Sequence, residues 1–432
     1  MAPEERQNEH NPATTPSKPS RIFKTLSSDG IFLFITRIAR MFGYGFLSVV
    51  LVLYLAQVGL GETEIGLLLT LTLIGDTIIS FWITTNADRI GRRRMLMLGA
   101  FLMLFAAILF VLTHHFLLLL IAATIGVISP SGYEVGPFLS IEQAALSQIV
   151  PSKKRTQIFA WYNLVGSFAT ALGSLAGGSL VQVLHDSGVT SVGSYRTVVI
   201  GYGIIGLVLA GLFYQLSTAV EVSVGADSNL SAPLKTRFGL HRSRKVVFKL
   251  SALFSLDAFA GGFVLQSILA YWFHERFNVQ PALLGSIFFG ANILAGLSAL
   301  SAAWVASKIG LIRTMVFTHI PSNILLILVP LMPNLPLAIA VLLLRFSISQ
   351  MDVPTRQSYT MAVVAPDERS AAAGITGIAR TTGASLSPVL TGPLLANSAL
   401  MSIPFILSGG LKIVYDLLLY WRFKSIKPPE EK

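Results

Sequence analysis

The stretch NADRIGRRRMLMLGAFLMLFAAILFVL, residues 86 to 112, decides the fold. It opens on five charged residues, Asp88, Arg89, Arg92, Arg93 and Arg94, set around Gly91. From Met95 onward no charge interrupts the run. An apolar run of about 20 residues is what a helix needs to cross the hydrocarbon core of a bilayer, and a basic cluster at its edge marks the cytoplasmic side. The rest of the chain repeats this design. Of 432 residues, 53% are hydrophobic and only 12% charged, about half the charge of an average soluble domain. Such a chain needs lipid as solvent.

Apolar runs begin near Ile31, Thr63, Met95, Phe116, Gln157 and Tyr195, and resume near Val246, Pro281, Thr314, Leu335, Ala371 and Met401. The expected organisation is an all-α membrane protein of twelve transmembrane helices in two pseudo-symmetric six-helix bundles. The first bundle spans residues 30–216 and the second 246–423. A cytoplasmic linker covers 217–245. A Pro- and Ser-rich tail at 1–29 is expected to be disordered, and a short tail covers 424–432. The net charge of +11 sits in the loops with Arg89 to Arg94, Lys153 to Arg155, the linker, and Lys308 and Arg313, whereas the opposite loops hold only Arg196 and Arg276. Both termini are therefore expected in the cytoplasm, and a plasma membrane is favoured over an organelle. The same distribution argues against nucleic acid as the partner of the positive charge. With no cysteine, disulfides, thiol catalysis and cysteine zinc sites are excluded.

The halves also resemble each other. Arg40 to Phe46 aligns with Asp257 to Phe263, Arg89-Ile90-Gly91 with Lys308-Ile309-Gly310, Glu142 with Arg356, and Gly178 with Gly392. The offsets are 217, 219, 214 and 214 residues. Parallel six-helix repeats place a substrate site near the midplane between the halves.

The loop Asp88-Arg89-Ile90-Gly91-Arg92-Arg93, between the second and third spans, resembles the signature of the major facilitator superfamily. Thr84 stands where that signature begins with Gly. The degenerate copy at Lys308 to Gly310 resembles the family's second copy. The resemblance covers nearly the whole chain. It implies a secondary transporter in which Asp88, Arg89, Gly91 and Arg92 form a conformational latch, and in which the first, fourth, seventh and tenth spans surround the cavity. A Gly-rich stretch from Gly173 to Gly178 resembles an exchanger signature, with Ser174 in place of its Pro, and reads first as close helix packing. The Arg of the span-four signature of proton-coupled drug exporters is absent between Phe116 and Val150.

Charges inside the membrane must be paired, hydrated or functional. The first span carries Arg37, Arg40 and Tyr44 on one face. The fourth carries Glu134 and Glu142, and its Pro130 to Pro137 run cannot form a regular helix. The seventh carries Asp257. The tenth carries Arg345, Ser349, Asp352, Arg356 and Tyr359 as one stripe of a continuous helix. These residues are the candidate substrate and proton cavity. Arg40 is expected to pair with Glu142, and Asp257 with Arg356. An Arg left over would bind a carboxylate or phosphate-like oxyanion, unless Glu134 and Asp352 neutralise it. Glu134, then Asp352, are the candidate proton carriers. Asp76 in the second span and Arg380 in the eleventh are expected to pair and close the cytoplasmic side. Lys412 and Asp416, four apart, are expected to neutralise each other.

His114, His115, His185 and His274 lie in loops, and no metal is expected. No phosphate-binding glycine loop is present, so a proton or ion gradient is the expected driver. No cofactor and no enzymatic activity are expected. The expected partners are a small-molecule substrate, a coupling ion and the lipid bilayer, around a monomer. The leading reading is a proton-coupled transporter of an anionic or zwitterionic solute, and two other readings stand beside it. One is a drug exporter lined by Trp161, Tyr162, Tyr271 and Trp272. The other is a transporter-like receptor that binds without moving its ligand.

Overall fold

The computed structural model describes residues 27–150, 152–221, 240–365 and 368–426. Most of the expected linker, the N-terminal tail to residue 26 and the last six residues lie outside the described residues. So do the side chains of the Lys153 to Arg155 cluster. The described residues form α-helices and short 3-10 turns, with no strand among them. In chain order the α-helices are α1 Ser28–Ser48, α2 Leu51–Gln57, α3 Glu62–Ile90, α4 Arg92–Leu112, α5 Phe116–Ile125 and α6 Phe138–Ile149. Then come α7 Ser152–Asp186, α8 Ser191–Tyr214, α9 Arg244–Gly262, α10 Gln266–Phe277, α11 Pro281–Ile309 and α12 Leu311–Leu328. The last are α13 Leu335–Phe346, α14 Asp352–Val363, α15 Arg369–Leu386, α16 Pro388–Leu395 and α17 Ile403–Phe423. By length and composition, nine spans among the described residues are long and apolar enough to cross a membrane.

Helix boundaries follow local chemistry. Ser27 caps α1 by accepting the Gly30 N–H at 3.3 Å, and Asp29 sits favourably in the first turn. Helix α3 stops at Gly91 (φ 113°) and α11 at Gly310 (φ 86°), the two positions matched by the internal repeat. Both are conformations that only Gly adopts without strain.

The segments expected to line the cavity are all interrupted. The first breaks at Val49–Val50, the fourth over residues 126–137, the seventh over 263–265 and the tenth over 347–351. The fourth was expected to break. The tenth was not. Its polar stripe is divided between α13, which holds Arg345, and α14, which begins at Asp352. Irregular backbone at membrane depth is tolerated where it lines a cavity or is buried in protein.

Two tight crossings join helices α1 to α8 to helices α9 to α17. Helix α7 meets α11 where a Cβ on Gly178 would fall 2.2 Å from the Pro281 carbonyl oxygen. Helix α3 meets α16 where a Cβ on Gly66 would fall 2.5 Å from that of Pro388. Only hydrogen there allows the backbones so close. Between these crossings runs a polar seam. Gln266 donates to Ser48 Oγ (2.9 Å) and Ser174 Oγ (3.2 Å) and accepts from Asn292 (3.1 Å). The Ser267 N–H reaches the Pro130 carbonyl (3.1 Å), Tyr271 donates to Glu62 (2.8 Å), and the Val389 N–H reaches Thr70 (2.8 Å). These bonds all lie toward the Glu62 end of α3. The molecule is therefore fastened on the face opposite the Asp88 to Arg94 loop.

Candidate functional site

The structure holds two buried ion-pair clusters, one in each half. In the first, Arg40 makes a fork with Glu142: Nη1 to Oε1 at 2.7 Å and Nη2 to Oε2 at 2.6 Å. Both side chains are 0% exposed. Thr36 (3.0 Å) and the Tyr162 hydroxyl also donate to Glu142. The remaining donor of Arg40, Nε, reaches Glu134 at 3.0 Å, and Arg37 lies against the other Glu134 oxygen. Aromatic rings complete the packing: the Arg40 guanidinium sits 4.7 Å from the Phe138 ring centre and that of Arg37 sits 4.9 Å from Tyr162. Tyr44 donates to the Val135 carbonyl (3.0 Å), tying α1 to the irregular segment that carries Glu134. The pair expected from sequence is formed, and Glu134 is consumed by the same two arginines.

In the second cluster Arg356 Nη1 lies 3.0 Å from both Asp257 Oδ2 and Asp352 Oδ2. This pair was also expected. Lys412 was not expected here. Its ammonium reaches Asp257 Oδ1 at 2.6 Å, so Lys412 does not neutralise Asp416. Asp416 instead takes His319 Nδ1 at 2.9 Å and the Asn323 amide at 3.0 Å. The i,i+4 spacing of Lys412 and Asp416 concealed this, because each finds a stronger partner on a neighbouring helix. His319 stands alone in an apolar run, and its sequence surroundings give no sign of a partner.

Two expected cavity residues, and one expected to close the cytoplasmic side, behave differently. Tyr359 is fully buried and donates to the Ile426 carbonyl at 3.0 Å, so it fastens the C-terminal end of α17 rather than lining a cavity. Arg345 and Arg380 have no ion-pair or hydrogen-bond partner among the described residues, and the Nε of each is buried and unsatisfied. Arg345 lies within electrostatic range of Tyr133 and Asp352, and Arg380 within range of Arg356, Asp257 and Asp352. The expected Asp76–Arg380 pair is not formed in this conformation. Asp76 accepts from Ser80 at 3.3 Å.

The Asp88 to Arg94 loop is built around a carboxylate that sequence did not single out. Glu221 accepts the Arg92 N–H (2.7 Å) and the Arg93 N–H (3.2 Å), capping α4 at its positive end. Arg92 binds Asp88 at 2.8 Å, Gln148 at 2.9 Å and the Val220 carbonyl at 3.2 Å. Gly91 passes close to Glu221, where a Cβ would stand 3.3 Å from Oε1. Arg89 is exposed. Thr84, where the family signature has Gly, hydrogen-bonds Ser140 on α6 at 3.1 Å. The far end of the linker is fixed in the same manner. Glu368 accepts the N–H groups of His241, Arg242 (2.8 Å) and Ser243 (2.8 Å). Burial pushes the Glu368 carboxyl up, but these hydrogen bonds outweigh it and bring it down to about 2.

The aromatic lining expected for an exporter is committed to packing. Tyr162 is held by Glu142, and Tyr271 by Glu62. Trp272 is fully buried against Phe273, Phe277 and Phe405. No group of three or more potential metal ligands occurs among the described residues.

The chain is 33% identical over 430 residues to the uncharacterized membrane protein YJR124C of Saccharomyces cerevisiae, covering 94% of this chain and 96% of that one. It is 26% identical over 143 residues to the quinolone resistance protein NorA of Staphylococcus aureus, a match covering 33% of this chain and 36% of NorA. Its fold matches that of a bacterial homologue of the human lysosomal transporter Spinster, in an inward-facing and occupied conformation. The TM-score is 0.71 at 15% identity, over 95% of this chain and 98% of the other. The sequence profile of the Major Facilitator Superfamily covers residues 33–388. With the Asp88 to Arg94 loop, the Arg40–Glu142 and Asp257–Arg356 pairs and the glycine crossings lying within that match, the chain belongs to the Major Facilitator Superfamily of membrane transporters.

Proposed function

We propose that this transporter moves a small organic or inorganic anion by alternating access, coupled to protons. It does so as a twelve-span monomer of the plasma membrane with both termini in the cytoplasm. The observation that carries the anion is the pair Arg345 and Arg380, which have no partner among the described residues. Every other arginine of the two clusters is matched to a carboxylate. Apart from the His319–Asp416 pair, the second half thus sets four cations, Arg345, Arg356, Arg380 and Lys412, against the two carboxylates Asp257 and Asp352. A guanidinium fork without a partner at membrane depth suits a carboxylate or phosphate-like group. Proton binding requires a group that can change partner. Glu134 and Asp352 are held by arginines and take a proton only when those pairs part.

In this reading the face fastened by Gln266 is the extracellular one, and Asp76 and Arg380 meet when the cytoplasmic face closes. Substrate uptake into proteoliposomes is the test. Labelled anions, zwitterions and cations are offered with and without an inward-acid pH gradient, to wild type and to Arg345→Gln and Arg380→Gln. Uptake of anions alone, raised by the gradient and lost in both variants, is expected. Uptake of cations that survives both substitutions refutes the reading. The drug-exporter reading is favoured by the partial likeness to NorA, and drug-dependent efflux in the same vesicles identifies it.

A further inference from the structure

We propose that the His319–Asp416 pair is the proton-binding site of this transporter, and that Lys412 carries its state to the anion site. The inference rests on the proton-coupled anion reading above and names residues outside the ring of cavity-lining segments.

The geometry is two sets of buried charges that meet one turn apart on α17. His319 Nδ1 lies 2.9 Å from Asp416 Oδ1, and Asn323 holds the other oxygen at 3.0 Å. One turn earlier on the same helix as Asp416, Lys412 spans to Asp257 at 2.6 Å. Asp257 continues to Arg356, and Arg356 to Asp352, at 3.0 Å each. Tyr415, Tyr359, Arg345 and Arg380 are the other titratable or charged groups around these sets among the described residues. His319 is 5% exposed and Asp416 0%.

Histidine is the side chain whose charge changes near neutral pH. As imidazolium, His319 forms a neutral pair with Asp416. When the proton leaves, Asp416 becomes a buried carboxylate held only by neutral donors. An uncompensated buried charge is strongly disfavoured. The nearest mobile cation is Lys412, four residues away on the same face of α17. A Lys side chain is a point charge on a flexible stem, able to exchange one carboxylate for another. If Lys412 moves to Asp416, Asp257 and Asp352 are left to share Arg356. The unpartnered guanidinium beside them, Arg380, is then drawn to those carboxylates and away from an incoming anion. Proton loss at His319 therefore withdraws an anion-binding group, and proton binding frees it. Linkage is reciprocal, so the proton and the anion favour each other's binding, as symport requires.

The experiment uses the full-length chain in nanodiscs with 15N-labelled histidine. The His319 imidazole signal is identified by its absence in His319→Asn, or in His319→Gln should that variant fold better. Its signal should change between about pH 5 and pH 8. Its midpoint should also move in Asp257→Asn and in Lys412→Met, although Asp257 does not touch the imidazole. The second measurement exploits the absence of native cysteines. Spin labels at Thr85→Cys on α3 and Ala373→Cys on α15 report opening of the latch face. Their distance should depend on pH in wild type and lose that dependence in both His319→Asn and Lys412→Met. A His319 signal that ignores Asp257→Asn overturns the proposal. So does a pH-dependent distance that survives His319→Asn. Failure of the anion reading is separate: it appears as uptake that does not select anions while both pH responses persist.

Discussion

Replacing Glu142 by Gln keeps the shape of the side chain and removes its charge, which isolates the electrostatic role of the first cluster. Glu142 is fully buried and accepts four hydrogen bonds, two of them from Arg40. Removing one partner of a buried ion pair costs about 3–5 kcal/mol, because the other charge is left uncompensated. Arg40 retains Glu134 through Nε, although Arg37 shares that carboxylate. The lower end applies, about 3 kcal/mol, or roughly a 100-fold change in the folded-to-unfolded ratio. Equilibrium unfolding in mixed micelles measures it. The companion Arg40→Met/Glu142→Leu double variant removes both charges and should recover most of that stability while losing transport, since a buried pair exchanged for apolar groups is close to neutral. If Glu142→Gln costs under about 1 kcal/mol, the pair is not the buried, desolvated contact described here. If the double variant transports normally, the pair serves stability alone.

Other outcomes follow from the seam, the crossings and the linker. Gln266→Leu removes two cross-seam hydrogen bonds and the one it accepts from Asn292, which keeps its bond to the Phe288 carbonyl, each worth about 1 kcal/mol. Spin labels at Gln57 and Ser398 should then report a wider outer face. Gly178→Ala forces α7 and α11 apart and should cost about 1–3 kcal/mol of stability in the same micelle unfolding assay. Glu221→Gln weakens the cap on α4 by about 1 kcal/mol and should raise amide exchange at Arg92 and Arg93. Glu368 has a carboxyl lowered to about 2 from an ordinary 4.5. A depressed acid contributes stability that is complete above the unfolded value and disappears as pH falls through the folded one. The stability gap between wild type and Glu368→Gln should therefore be full above about pH 4.5 and close toward pH 2.

Much of the first cluster was legible from spacing alone. Arg37, Arg40 and Tyr44 share a helix face by their separation, and an intramembrane Glu142 in the facing segment leaves few alternatives for a partner. The second cluster was only half legible. Asp257 and Arg356 emerge from the repeat, but Lys412 reaches Asp257 because α17 packs against α9, and nothing local to Lys412 encodes that neighbour. A local pairing rule gave the wrong partner because tertiary contacts outweigh an i,i+4 interaction worth about half a kcal/mol. Glu221 and Glu368 were hidden for a different reason: their partners are backbone N–H groups at helix ends, which carry no residue signature. The break in the tenth segment had the same origin. Residues 347 to 351 hold no Gly, and the Pro354 that follows lies inside the first turn of α14, where Pro is compatible with a helix start.

The two clusters exchange signs between the halves. Arg40 on the first segment faces Glu142 on the fourth, whereas Asp257 on the seventh faces Arg356 on the tenth. A pair's attraction depends on the product of the two charges, so inverting both preserves the contact. That freedom explains how a repeat can keep an ion pair while exchanging its members. It does not explain the extra cations of the second half. Lys412 doubles the compensation of Asp257, and Arg345 and Arg380 have no carboxylate of their own. The first half balances Arg37 and Arg40 against Glu134 and Glu142 and has no such surplus. Symmetry thus accounts for what holds each half together, and the departure from symmetry is what supports the proposed anion. Adding a carboxylate beside the surplus should therefore mimic an occupied site. Ser349→Asp, four residues after Arg345 in the break between α13 and α14 and with an unpartnered hydroxyl, is the direct test. It should weaken anion uptake at least 10-fold while leaving the micelle unfolding midpoint unchanged or raised. An unchanged uptake would place the anion elsewhere than beside Arg345.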